Sequence, residues 1–157
     1  MDKERVLFIC NHNSARSQMA EAWLKLLAGE RFVAESAGFD PRPINPLVIE
    51  VMRETGVDLS GKKSQSVFDV YRRGQAFQYV ISVCSRNAEM NCPIFPGAHK
   101  NRFRVVFPDP SELAGSSEER LAGVRRIRDE IKAAVEQFLH WINAGSINLP
   151  GPQWERD

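Results

Sequence analysis

The sequence predicts an α/β protein of three layers, with a four-stranded parallel sheet and helices on both faces. Three observations predict it. Short apolar runs alternate with stretches of helical periodicity along the 157 residues, the pattern of strands joined by right-handed crossovers. The first run, Val6 to Cys10, is apolar throughout, as suits a strand covered on both faces. Finally, Cys10, Cys84 and Asp109 each stand at the C-terminal end of an expected strand, the edge at which open parallel sheets bind ligands.

Residues 6–10 make the first strand. A helix starts near Ser17, where Met19, Ala20, Trp23, Leu24, Leu27 and Ala28 recur at helical spacing and Gly29 can end it. Phe32-Val33-Ala34 is a short second strand, followed by Glu35-Ser36-Ala37-Gly38. Asn45-Pro46 supplies an N-cap and a first-turn proline for a helix that buries Leu47, Val48, Val51 and Met52 and stops at Gly56. The polar segment 58–65 reads as a loop, and a short helix follows from about Ser66 to Arg73. Tyr79 to Val83 is the third strand, ending at Cys84. Residues 85–101 show neither period and read as irregular. Arg104 to Phe107 is the fourth strand, closed by Pro108-Asp109-Pro110. Ser116 and Glu119 form a capping box for a last helix burying Leu121, Val124, Ile131, Val135, Phe138, Leu139 and Ile142. Its basic residues Arg125, Arg126 and Arg128 alternate with acids and read as a solvated face. Residues 1–145 are read as a single catalytic domain and 146–157 as an irregular tail that Trp154 can anchor.

Composition narrows the function. Hydrophobic residues are 43% and charged residues 26%, with a net charge of +1. That gives no bulk attraction to nucleic acid or acidic membranes. No apolar run reaches the 18 or so residues of a membrane span, and Met1-Asp2-Lys3-Glu4-Arg5 leads into a strand without a signal-peptide pattern. A cytoplasmic monomer is expected. Three cysteines in a cytoplasmic chain are no disulfide scaffold, and any disulfide among them is expected to be transient and catalytic.

The chemistry concentrates in Cys10-Asn11-His12-Asn13-Ser14-Ala15-Arg16-Ser17. Strand, tight loop and helix make an oxyanion cradle: successive amides point inward, and the helix N-terminus adds positive potential. Arg16 can grip two oxygens of a tetrahedral anion. The same field favours the thiolate of Cys10, which makes it a nucleophile aimed at whatever the cradle holds. Cys84 and Cys92, eight positions apart among polar neighbours, are consistent with a relay. In it, Cys84 attacks Cys10 to leave a Cys10–Cys84 disulfide, and Cys92 then draws the disulfide outward to an external dithiol. Zinc ligation, a static disulfide and incidental packed cysteines are the competing readings. Asp109, stiffened between two prolines, is either a general acid or a turn aspartate. His12, His99 and His140 have no ligand spacing, and the His12 ring is expected to pack outward.

The loop CNHNSARSQMAE, the segment ESAG at 35–38, VCSRNAEMNCP at 83–93 and the Asp109-Pro110 pair together resemble the thioredoxin-coupled arsenate reductases, which are built on the low-molecular-weight protein tyrosine phosphatase fold. The resemblance covers residues 5 to about 142. It implies Cys10 as nucleophile, Arg16 as oxyanion ligand, Asn13 shaping the loop, Ser17 hydrogen-bonding the Cys10 thiolate, Cys84 and Cys92 as the redox relay, and Asp109 as general acid. It implies no tightly bound cofactor, thioredoxin as external reductant with glutaredoxin and glutathione as the other candidate donor, and arsenate or a phosphate-like oxyanion in the cradle. Some members of that family bind potassium through residues matching Asn13, Glu21 and Ser36; Gln65 stands here at the matching acidic position. Ala15 replaces a cysteine often found before the loop arginine, and the Cys84–Cys92 interval is one residue longer than in the best-known relatives.

The alternative is a low-molecular-weight phosphatase hydrolysing phosphate monoesters through a Cys10 phosphocysteine. Ser111-Glu112 after the Asp-Pro pair, where a tyrosine-ring clamp would need aromatic residues, argue against it. A non-catalytic anion sensor is the third class.

Overall fold

The computed structural model describes residues 3–83 and 95–157. Its elements run β1 (Glu4–Cys10), α1 (Arg16–Ala28), β2 (Phe32–Gly38), α2 (Pro46–Arg53), α3 (Val67–Arg72), β3 (Phe77–Ser82), β4 (His99–Val105), a 3-10 turn (Pro110–Glu112), α4 (Ser117–Ala144) and β5 (Trp154–Arg156). The sheet order is β2-β1-β3-β4-β5. The first four strands are parallel, as expected, and β5 is antiparallel to β4. The chain leaves β1 toward β2 on one side and places β3 on the other, so the switch point of the sheet lies at the end of β1.

β1 is buried on both faces. Val6, Phe8 and Cys10 join the core formed with α1, α2 and α4, including Met19, Val48, Met52, Ile131 and Phe138. Leu7 and Ile9 point the other way, into a smaller core with Val67 and Val70 of α3 and Phe77, Val80 and Phe95. This is the period-2 consequence of an all-apolar strand between two helical layers. The α1 stripe is buried through Leu24, whereas Leu27 is exposed.

Three expectations are corrected. The sheet has five strands, since the tail is irregular only up to Gln153. Trp154 is buried against Phe103 and Phe138 with centroids 6.1 Å away from each, and Asp157 N–H donates to the Arg102 carbonyl at 3.0 Å. The fourth strand is His99–Val105, not 104–107. Its outward positions are polar, so only Phe103 and Val105 mark its buried side. The arginines of α4 are not simply solvated. Arg125 and Arg128 both bond Glu54 at the C-cap of α2, tying the two helices together. The α4 capping box is present as expected, and Gly145 ends the helix at φ 62°, a left-handed conformation that costs glycine little.

Candidate active site

β1 delivers Cys10 to the switch point, and α1 begins six residues later at Arg16. No side chain caps α1 at Ala15, so the helix N-terminus opens toward the loop. The turn between the two elements depends on Asn13, whose φ of 51° is the only positive value at a non-glycine among the described residues. Asparagine tolerates that region better than most residues, and here its carboxamide is fully used. Its Oδ1 accepts from Gln18 Nε2 and Gln65 N–H, both at 3.0 Å, while its Nδ2 donates to Ser17 Oγ at 2.8 Å and Ser36 Oγ at 2.9 Å. The Asn13 backbone N–H points at Cys10 Sγ, 3.1 Å away, and Ser17 Oγ lies 2.9 Å from the same sulfur.

The loop is laced from outside by the segment after β2. Asp40, Arg42 and Asn45 donate backbone N–H groups to the carbonyls of Asn11, His12 and Ser14 at 2.7, 3.0 and 2.9 Å. With its carbonyls engaged outward, the loop turns amides inward. Gly38 makes this approach possible: a Cβ there would stand 2.7 Å from Asn13 N and 2.8 Å from Asn11 O.

Cys10 and Arg16 line a cavity of about 250 Å³ with His12, Ser14, Ala15, Arg42, Pro43, Asn45, Asp109 and Ser111. Arg16 is buried and held by Nη1 to the Phe107 carbonyl at 3.2 Å, and its Nη2 faces Asp109 Oδ2 at 3.6 Å. Asp109 Oδ1 accepts from Ser111 N–H at 2.9 Å and Ser111 Oγ at 2.8 Å, which leaves Oδ2 turned toward the guanidinium. Sequence position thus brings together Cys10, the loop, Arg16 and Asp109. His12 is among the residues that line the cavity, and its ring Nδ1 lies 3.0 Å from the Asp40 carbonyl, on the segment outside the loop. A thiol, inward amides, an arginine and a carboxylic acid on one cavity can hold a tetrahedral oxyanion, attack it and protonate a leaving oxygen.

A family model for low molecular weight phosphotyrosine protein phosphatases matches residues 5–147. The chain belongs to this family. Among curated members, it is 36% identical over 138 residues to an arsenate reductase of Halalkalibacterium halodurans, covering 88% of this chain and 96% of that one. It is 39% identical to arsenate reductase 2 of Staphylococcus epidermidis, with 88% and 98% covered. Among solved structures, an arsenate reductase in its phosphate-binding state superposes with a TM-score of 0.69 at 27% identity, over 88% of this chain and 98% of that one. A thioredoxin-dependent arsenate reductase of Corynebacterium glutamicum gives 0.62 at 31% identity, over 92% and 64%.

Cys84 and Cys92, the expected relay of this low-molecular-weight phosphatase-family chain, lie outside the described residues. The cation set that the family resemblance implied does not fit a metal ion. Glu21, 3% exposed, receives Lys25 Nζ at 2.7 Å and Lys62 Nζ at 3.0 Å on Oε2, and Ser36 Oγ donates to its Oε1 at 2.8 Å. Asn13 Oδ1 is taken by two N–H donors, and the Ser36 carbonyl accepts Gln65 Nε2 at 2.9 Å. Ammonium and amide donors therefore cover the oxygens a cation would use. Sequence reasoning missed Lys62, Ser111 and the steric role of Gly38. Each acts through a partner distant in sequence or through empty space, and only Gly38, within the quoted ESAG segment, carried any signal.

Proposed function

We propose that this chain is an arsenate reductase drawing electrons from thioredoxin. The observation that carries this reading is Cys10 Sγ, held by Ser17 and the Asn13 amide at a cavity that it shares with Arg16 and Asp109. The relatedness to arsenate reductases at 36–39% identity supports it. The Cys10 thiolate attacks arsenic(V) in the cradle and forms an S–As bond. One arsenate oxygen leaves as water, protonated by Asp109 in its acid form. Arg16 and the loop amides hold the charge on the remaining oxygens. Cys84 thiolate then attacks Cys10 sulfur; the S–As electron pair passes to arsenic, and arsenite departs. Two thiols have become one disulfide, which supplies the two electrons. Cys92 attacks Cys84, Cys10 returns as thiolate, and a thioredoxin dithiol reduces the Cys84–Cys92 disulfide.

The test is arsenate-dependent NADPH oxidation with thioredoxin and thioredoxin reductase. Turnover is expected for the wild type and its loss for Cys10→Ser, Cys84→Ser and Cys92→Ser. Turnover unchanged in Cys84→Ser sinks the relay.

The second reading, phosphate-monoester hydrolysis, is favoured by the same Cys10, Arg16 and Asp109 constellation. It requires neither Cys84 nor Cys92. Hydrolysis of an aryl phosphate that survives both serine substitutions, with no arsenate-dependent NADPH oxidation, selects it.

A further inference from the structure

The Asn13 carboxamide behind Cys10 has only one consistent orientation. The Gln65 backbone N–H can only donate, and it meets Asn13 Oδ1 together with Gln18 Nε2. That fixes the other end of the carboxamide, Nδ2, toward the two serines. Ser17 and Ser36 therefore both accept from Asn13 and keep their own protons for a further partner. Ser36 donates to Glu21 Oε1, and Ser17 Oγ, 2.9 Å from Cys10 Sγ, is placed to donate to the sulfur once it is a thiolate. Asn13 is thus the common source of two arms, one ending on the sulfur and one on a buried carboxylate. The carboxylate arm holds the carboxamide in place only while Glu21 is fixed, and a buried charge needs a counter-charge. Lys62 provides it from outside α1, reaching across 41 residues of sequence to both Glu21 oxygens at 3.0 and 3.2 Å. Lys25 adds a second ammonium from the next turn of the helix.

We infer that Lys62 is a built-in cation for the oxyanion loop: with Glu21 it positions Cys10 through Ser36, Asn13 and Ser17, and it makes the loop independent of the monovalent metal that the same cluster would otherwise hold. The inference rests on the reading of Cys10 as nucleophile. Lys62 and Glu21 are positioning residues, since neither lines the Cys10 cavity. With two ammonium groups already on one carboxylate, a third cation there is repelled.

The experiment is the rate of Cys10 alkylation by iodoacetamide in the full chain, assigned by mass spectrometry, at one pH and one ionic strength. It is run in potassium, sodium and tetramethylammonium chloride. Wild type is expected to react at the same rate in all three salts, with phosphate protecting it. Lys62→Met is expected to react about tenfold slower in tetramethylammonium, as losses of outer-shell partners do. Potassium should restore part of that rate, and Lys62→Arg should restore most of it. Thermal melting checks that each variant is folded. A wild type accelerated severalfold by potassium overturns the inference. So does a Lys62→Met rate equal to wild type in every salt, or a slowing that neither potassium nor the arginine variant reverses. A wild-type Cys10 that resists alkylation in every salt overturns the nucleophile reading and the inference together.

Discussion

Arg16 and Asp109 face each other across the cavity mouth, Nη2 to Oδ2 at 3.6 Å. The guanidinium is buried and already fixed on the Phe107 carbonyl. A lysine would keep the charge and lose the planar fork. Arg16→Lys is expected to lower kcat/KM for arsenate by about 100-fold or more, the scale of losing preorganised oxyanion donors. Steady-state kinetics read it, and a loss below tenfold would show that the fork is not needed.

The carboxylate across from it has one oxygen occupied by Ser111 and the other turned to the cavity. Asp109→Asn keeps the shape and removes the transferable proton. The expected loss is about 100-fold in kcat with little change in phosphate affinity, as for removal of a general acid. Equal kcat in the variant would return Asp109 to a turn residue.

Gly38 sits against the backbone of the loop, where an added Cβ would meet Asn13 N at 2.7 Å. Backbone cannot step aside as a flexible side chain can. Gly38→Ala should cost about 1–3 kcal/mol by overpacking and weaken phosphate protection of Cys10. Urea denaturation and alkylation with and without phosphate measure the two effects.

Trp154 lies in β5 at 2% exposure, between Phe103 and Phe138. Trp154→Ala is expected to destabilise the fold by about 3–5 kcal/mol. Because the residue is absent from the Cys10 cavity, Cys10 alkylation in the folded variant should match wild type. A denaturation midpoint unchanged from wild type would mean that the strand contributes little to the sheet.

Glu54 accepts hydrogen bonds from Arg125 Nε and Nη2 and from Arg128 Nη1. These bonds, Arg125 first, draw its pKa from 4.5 down to about 2. The folded value is below the unfolded one, so this stabilisation is present above about pH 4.5 and is lost as the pH falls toward 2. Glu54→Gln is expected to lower the urea midpoint at neutral pH and to converge with wild type in acid. The pair is exposed, so high salt should shrink the difference. Parallel curves at every pH would show that the charge does not matter.

The cradle was legible because its signals are local: an apolar strand, polar loop residues, an arginine and a helix within a few positions of Cys10. The same holds for α4, where Ser116, Glu119 and Gly145 mark both ends. β4 was displaced because its pairing is supplied by β3 and β5 while its outward residues stay polar. β5 is three residues long, too short for any period, and exists through Trp154 burial and the hold of Arg104 on Asp157 at 3.2 Å. Lys62 was hidden for a different reason. Its meaning is a charge placed on Glu21, and nothing near it in sequence points there.

The bond from Arg16 to the Phe107 carbonyl joins positions 91 residues apart. During synthesis on a ribosome, Cys10 emerges early, but the Phe107 carbonyl that helps to hold the arginine is made only after β4. In a nascent chain the oxyanion pocket is therefore incomplete, and its assembly waits until the segment that follows β4 docks.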